Sequence, residues 1–188
     1  GHKMSKSLGN VISPKEINQK WGAEILRLWT ASADYRSEIV VSEEIFKRIA
    51  DIYRRIRNTA RFLLANLNGF DPNEHLLDYS KLIKLDAWAI DRAVQLQQEI
   101  IADYEKYNFR NVYLKVHDFC AIDMGGFYLD IIKDRQYTTQ KDSHARQSAQ
   151  TAIYYIIRML TKWIAPILSF TAEEIWRSFA KLDKDQQK

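Results

Sequence analysis

One long apolar stripe constrains the fold of this chain more than any other feature. Between Ser42 and Gly69 the sequence contains no other glycine and no proline, and apolar residues recur at spacings of three and four: Ile45, Ile49, Ile52, Ile56, Ala60, Leu63 and Leu67. Such spacing places them on one face of a single helix. Ser42 is a good N-cap, and the two acidic residues that follow it favour the helix start. Because this face must be covered, the stripe predicts a bundle of helices.

The composition supports long helices. Only six glycines and three prolines occur among the 188 residues, which argues against a turn-rich β fold. Further apolar stripes follow Asp86, Asn111 and Ser143. We expect Asp86 and Ser143 to cap two of these helices, and Thr171 to begin a capping box at the start of the last helix. The expected fold class is all-α, an antiparallel helix bundle over residues 42–188.

Residues 11–41 are expected to form a small α+β segment in front of the bundle. Ser13 and Glu16 form a capping box for a short helix. The β-branched stretches 11–12 and 38–41 are expected to pair as a two-stranded ribbon. Because a ribbon of this size is weak alone, it should lean on the helices.

The helix after Ser42 also carries a basic face, opposite its isoleucine stripe. Its candidate contacts are Arg54, Arg55, Arg57, Asn58 and Arg61. Arginine forks suit phosphates, and Asn58 can address a base edge or a ribose. The alternative is a solvated face with intrahelical ion pairs. Asp51 is the single acid in this window, which is too few to pair the arginines, so RNA binding is favoured. The net charge of +4 and the pI of about 9.0 are compatible with nucleic acid.

A second basic element is the run Lys3, Met4, Ser5, Lys6 and Ser7, which Leu8-Gly9-Asn10 continues. Two ammonium groups among hydroxyls and small residues suit a polyphosphate, because lysine binds phosphate as a point charge and exposed backbone N–H groups can turn toward an anion. The alternative is a basic terminal tail.

Several classes of site are not expected. The four histidines show no ligand spacing, and the single cysteine, Cys120, falls on an inward stripe and cannot form an internal disulfide. We therefore expect no metal site, and a reducing, cytoplasmic environment. The sequence has no uninterrupted apolar run long enough to cross a bilayer, so no membrane partner is expected.

Several stretches together resemble class I aminoacyl-tRNA synthetases. Lys3 to Ser7 is identical, letter for letter, to the KMSKS signature of that family. The isoleucine type of the family is indicated by similar stretches at residues 22–29 (GAEILRLW), 53–67 (YRRIRNTARFLLANL), 127–137 (FYLDIIKDRQY) and 163–176. Residues 53–67 are similar to the first helix of its anticodon-binding domain. The glycine pair Gly125-Gly126 departs from the family pattern and bears on local helix packing.

The resemblance implies an architecture and a reaction. Residues 1–10 would be the KMSKS loop at the end of the catalytic domain, 11–41 the stem-contact fold, and 42–188 the anticodon-binding domain. The intact enzyme would activate isoleucine with ATP, accompanied by Mg²⁺, and transfer it to tRNA. Lys6 would be the principal ATP contact and Lys3 would support it. The tRNA(Ile) contacts would be Arg54, Arg55, Arg57, Asn58 and Arg61.

The remaining partners would be the parent's catalytic, editing and carboxy-terminal zinc domains. No HIGH-type histidine motif, nucleotide-binding sheet or cysteine cluster occurs in this sequence. We therefore expect a fragment that does not form isoleucyl-adenylate by itself. We also expect it to be monomeric. Two alternatives stay open: the equivalent fragment of another class I synthetase, of the valine type, and a helical protein-interaction module whose basic face meets an acidic partner.

Overall fold

A computed structural model describes residues 3–140 and 143–184, and most of these residues are helical. In chain order the α-helices are α1 (Pro14–Trp21), α2 (Ala23–Ser32), α3 (Glu43–Ala65), α4 (Pro72–His75), α5 (Lys84–Glu105), α6 (Phe109–Asp118), α7 (Leu129–Thr138), α8 (His144–Ile164) and α9 (Ser169–Lys184). A π-helix, Phe119–Tyr128, joins α6 to α7, and short 3-10 turns lie at Lys6–Leu8 and Tyr79–Lys81.

The long helices enclose one apolar core. Helix α8 packs against α3 and α5, α6 packs on both α2 and α5, and α9 closes over α3 and α8. The predicted stripe of α3 faces inward, since Ile56, Ala60 and Leu63 are almost completely buried. Helix α8 is covered on nearly all sides, which explains its apolar middle turns. The prediction of an all-α bundle is confirmed.

The predicted β-ribbon in the amino-terminal segment is wrong. Stretches 11–12 and 38–41 form no strand, and neither does any other part of the described chain. Val11, Ile12, Ile39 and Val40 are all exposed. Strand propensity depends on packing against neighbours, and two short strands without a third element are marginal. The segment is therefore helical, with α1 and α2 carrying its buried residues.

The helix caps show where local signals succeed and where they fail. Ser13 forms the predicted capping box with Glu16, and the hydroxyls of Ser42 and Ser143 accept backbone N–H bonds as expected. The prediction for Asp86 is wrong, because α5 begins two residues earlier at Lys84. The prediction for Thr171 is also wrong, because α9 begins at Ser169. The side chains of Asp86 and Thr171 form hydrogen bonds with residues of other helices instead.

Asp86 is the centre of a buried polar network. Its carboxylate is fully buried and accepts hydrogen bonds from the Tyr128 hydroxyl (2.9 Å), the Arg135 guanidinium (2.8 Å) and the Ser148 hydroxyl (2.6 Å). Burial, and then the neighbouring Asp86 charge, raise the pKa of Tyr128 well above its usual value, which keeps this hydroxyl a donor. The network joins α5, the π-helix, α7 and α8.

The π-helix contains the two adjacent glycines. Its wider turn is seen where the N–H of Leu129 bonds to the carbonyl of Met124, five residues earlier. A Cβ atom added at Gly125 would lie 3.0 Å from the Cys120 carbonyl oxygen, and one at Gly126 would lie 3.2 Å from that of Ala121. The glycine pair therefore allows the close backbone approach that this turn requires.

Candidate nucleotide and nucleic-acid interfaces

The lysine loop, defined as Lys3–Asn10, is closed by its own hydrogen bonds. The side-chain oxygen of Asn10 accepts the Ser5 N–H at 2.7 Å, and its amide nitrogen donates to the Lys3 carbonyl at 3.2 Å. Gly9 adopts a left-handed conformation (φ 63°), and its N–H bonds to the Lys6 carbonyl, which ends the short 3-10 turn. Asn10 thus bridges the two ends of the loop.

The lysine loop presents its charges to solvent. Lys3, Met4, Lys6 and Ser7 are exposed, and the hydroxyls of Ser5 and Ser7 lie 2.6 Å apart. No side chain of the loop is buried, so hydrogen bonds rather than core packing set its shape. It offers two ammonium groups and two hydroxyls without a carboxylate, a donor set that fits a polyphosphate.

Helix α3 displays the predicted basic face. Arg54, Arg55, Asn58 and Arg61 are exposed, while Arg57 is half-buried. Arg55 and Arg61 form no ion pair or hydrogen bond with the side chains that the structure describes. Arg54 pairs with Asp51 one turn before it, as the alternative of a solvated, self-paired face would require. This pair is exposed on both sides and is therefore weak.

Arg57 is held by the last helix rather than left free. Its guanidinium lies 2.9 Å from a carboxylate oxygen of Glu174 on α9, and it donates to the Tyr53 hydroxyl at 3.1 Å. The bond to Tyr53, followed by the attraction of Tyr53 and Glu174, raises the pKa of Arg57 further above its usual value. The Tyr53 hydroxyl also lies 2.9 Å from that of Thr171. Sequence reasoning missed Glu174, because no local signal places it beside α3.

Helix α2 attaches the amino-terminal segment to the bundle. Arg27 donates to the carbonyls of Ile167 (2.7 Å) and Pro166 (3.0 Å) at the turn between α8 and α9. Glu24 accepts the N–H groups of Phe170 and Thr171, which are among the unpaired donors of the first turn of α9. These contacts give a physical role to two charged residues of the stretch 22–29.

Aromatic contacts complete this attachment. The ring of Phe46, near the start of α3, lies 5.5 Å from that of Trp29 and 6.5 Å from that of Trp21. Ile25 and Leu28 of α2 are buried in the same core as the bundle. Helices α1 and α2 are therefore packed on α3, and residues 11–13 link the lysine loop to α1.

Metal-binding clusters and membrane-spanning helices are both absent from the residues that the structure describes. No group of three or more histidine, cysteine, aspartate or glutamate side chains within residues 3–140 and 143–184 could hold a metal ion. Among the same residues, no helix is long and apolar enough to span a membrane. Cys120 is completely buried, and burial raises the pKa of its thiol to about 12, as the prediction of a packing role requires.

Two family profiles match the sequence. The family described as "Anticodon-binding domain of tRNA ligase" matches residues 86–187, which is more than half of the chain. The family described as "tRNA synthetases class I (I, L, M and V)" matches residues 1–42, which include the lysine loop. All of α3 lies between the two matched regions.

Curated relatives span both regions. The isoleucine–tRNA ligases of Nitrosococcus oceani and Stutzerimonas stutzeri are each 63% identical over 177 residues, and that of Chromohalobacter salexigens is 61% identical over 176 residues. Each alignment covers 94% of this chain and 19% of the relative. The chain therefore spans about a fifth of the length of these relatives.

A solved structure shares the fold. The crystal structure of a ternary complex of LeuRS from Agrobacterium radiobacter K84 with tRNA and LeuAMS matches with a TM-score of 0.69 at 18% identity. The match covers 95% of this chain and 21% of the other. Both the amino-terminal helices and the bundle thus have counterparts in that protein.

Proposed function

This chain belongs to the family of anticodon-binding domains of tRNA ligases, and on that premise we propose that it is the part of an isoleucine–tRNA ligase that joins the ATP-binding lysine loop to the anticodon arm of tRNA(Ile). The relatives that carry this name favour the isoleucine type over the valine type. Isoleucine, ATP and tRNA(Ile) are then the substrates of the whole enzyme, whose other domains are the partners of this chain. A cytoplasmic location agrees with the unpaired, buried cysteine.

The observation that carries the RNA-binding half of the proposal is the exposed basic face of α3. Arg55 and Arg61 have no carboxylate partner among the described side chains, and Arg54 has only an exposed one. A row of guanidinium groups on a long helix can contact several phosphates of an RNA backbone. Asn58 lies between them, where its amide can reach a base edge or a ribose.

The lysine loop supplies the nucleotide-binding half. In the intact enzyme the isoleucine carboxylate displaces pyrophosphate from ATP, and the isoleucyl group then passes to the terminal adenosine of the tRNA. Lys6 neutralises negative charge on the triphosphate as the adenylate forms, with Lys3 in support. The Asn10 bridge keeps both lysines in one small loop. Mg²⁺ bound to the ATP would add its positive charge on the phosphates to that of the lysines.

A salt-dependent tRNA titration tests the RNA-binding half. The triple variant Arg54→Gln, Arg57→Gln, Arg61→Gln should bind tRNA(Ile) more weakly. The slope of log affinity against log salt should fall by roughly two to three, because each of the three lost phosphate contacts removes about 0.7–0.9 unit. The control Lys15→Gln, Lys81→Gln, Lys106→Gln removes the same charge from exposed sites elsewhere and should change the slope little. Equal slopes for the triple variant and wild type would reject α3 as the contact surface.

Further binding measurements distinguish this proposal from a protein-interaction module and from a valine-type synthetase. Tighter binding to an acidic protein than to tRNA at matched salt would favour a protein-interaction module, and a preference for valine acceptors would favour the valine type. We expect no isoleucine-dependent pyrophosphate exchange by the 188 residues alone. Measurable exchange would contradict the assignment of the chain to a part of the enzyme.

A further inference from the structure

The side chain of Asn10 ties two peptide groups of the lysine loop together. Its oxygen accepts the Ser5 N–H at 2.7 Å, and its amide nitrogen donates to the Lys3 carbonyl at 3.2 Å. One amide therefore holds the backbone on both sides of Met4. An amide can donate and accept at the same time without carrying a charge, so this bridge places no carboxylate beside the lysines.

Ser5 extends this bridge to Lys6. Ser5 is the N-cap of the 3-10 turn, its carbonyl accepts the Leu8 N–H at 3.1 Å, and its hydroxyl lies 2.6 Å from that of Ser7. The carbonyl of Lys6 accepts the Gly9 N–H at 3.2 Å. The backbone of Lys6 is thus held on both sides, while its side chain is exposed and forms no ion pair with the described residues.

The hydrogen bonds of the lysine loop are internal to it. Among the described residues, every one of them begins and ends within residues 3–10. No side chain of the loop is buried, so packing cannot replace a bond that is lost. Removing the Asn10 amide would therefore release Lys3 and the start of the turn. The loop would then have to be ordered each time ATP binds.

We propose that Asn10 is a positioning residue for adenylate formation: its amide shapes the lysine loop before ATP arrives, so that Lys6 meets the charge that develops on the triphosphate. This proposal rests on the proposed function, because it requires ATP at the lysine loop. In that step the isoleucine carboxylate bonds to the α-phosphorus of ATP as the bond to the pyrophosphate oxygen breaks, and Lys6 keeps its proton. Charges that are fixed in advance stabilise the transition state without a further ordering cost.

The activity test uses the intact isoleucine–tRNA ligase that contains this chain, with the variant Asn10→Ala. Its kcat for isoleucine-dependent pyrophosphate exchange should fall about tenfold, the effect of losing the hydrogen-bonded bridge. KM for ATP and for isoleucine should change by less than about twofold, because an interaction that acts only in the transition state lowers kcat. Asn10→Gln offers the same amide on a longer arm and should recover part of the rate.

The matched control is Asn18→Ala. Asn18 is an exposed asparagine of α1 whose side chain forms no hydrogen bond with the described residues. This variant should keep the wild-type kcat. An Asn10→Ala enzyme that also keeps it would overturn the proposal, and so would a raised KM for ATP at unchanged kcat, which would indicate ground-state binding instead.

Amide hydrogen exchange in the 188-residue chain tests the geometry apart from catalysis. The Ser5 N–H should exchange more slowly than in an unstructured peptide, and Asn10→Ala should remove this protection. The thermal unfolding midpoint should stay the same, because the loop adds no side chain to the core. Unprotected exchange of the Ser5 N–H in wild type would contradict the bridge. A lowered midpoint together with a raised KM for isoleucine would assign Asn10 a merely structural role.

The variant Lys6→Ala in the intact enzyme separates this proposal from the proposed function. If Lys6→Ala lowers kcat and Asn10→Ala does not, the lysine loop acts on ATP and the positioning role of Asn10 is rejected. If neither variant lowers kcat, both the nucleotide-binding half of the proposed function and the positioning role are rejected.

Discussion

Replacing Asp86 with asparagine tests whether this residue acts as a helix N-cap or as the centre of the buried polar network. The two roles predict different changes in the free energy of unfolding. At a helix N-cap, asparagine is as good as aspartate, so the expected change in the free energy of unfolding is close to zero. In the structure, the carboxylate accepts two bonds from neutral hydroxyls and one from the Arg135 guanidinium. At about 1 kcal/mol for each neutral bond and about 2 kcal/mol for the charged one, the network contributes roughly 4 kcal/mol.

Asparagine retains one acceptor oxygen but turns an N–H₂ group toward groups that are themselves donors. The expected loss is therefore about 3 kcal/mol, because buried donors are left without partners. Urea unfolding followed by circular dichroism measures it. With a slope of roughly 2 kcal/mol per molar, the midpoint should fall by about 1.5 M. The control Asp91→Asn changes an exposed carboxylate that, among the described residues, accepts a hydrogen bond only from the Tyr79 hydroxyl, and it should change stability little. A loss below about 1 kcal/mol for Asp86→Asn would refute the network.

Three other predictions follow from the packing and the charges. Gly125→Ala should lower stability by about 1–2 kcal/mol in urea unfolding, because the added Cβ lies 3.0 Å from the Cys120 carbonyl oxygen; a gain, as in an ordinary helix interior, would contradict the π-turn. Glu174→Gln should tighten tRNA binding about two- to fivefold by freeing Arg57 and removing a negative charge beside it, and weaker binding would contradict this. Burial tends to raise the pKa of Asp103, but its bonds from Lys115 and Asn111 outweigh this and lower it. Wild type should therefore exceed Asp103→Asn in stability above about pH 4, and the difference should vanish as the pH falls through that lowered pKa.

Much of the fold follows from short-range patterns. Hydrophobic residues at spacings of three and four determine which face of α3 is buried, since a helix has 3.6 residues per turn whatever surrounds it. Ser13 and Ser42 cap as predicted because their partners lie within three residues. The exposed arginines of α3 follow from the same period, since they occupy the face opposite the stripe. The lysine loop can also be recognised from the sequence, because its lysines and serines lie within the five residues Lys3–Ser7.

Other features depended on residues that are distant in sequence. Asp86 meets Arg135 and Ser148, which are 49 and 62 positions away, and these partners override a plausible capping role. The β-branched residues at 38–41 have no neighbouring strand among the described residues, so their preference for extended backbone does not lead to a strand. Arg57 faces Glu174 only because α9 folds back over α3. Local sequence determined the helices and their faces through helical geometry, whereas tertiary packing decided which polar groups found partners, because those partners come from separate helices.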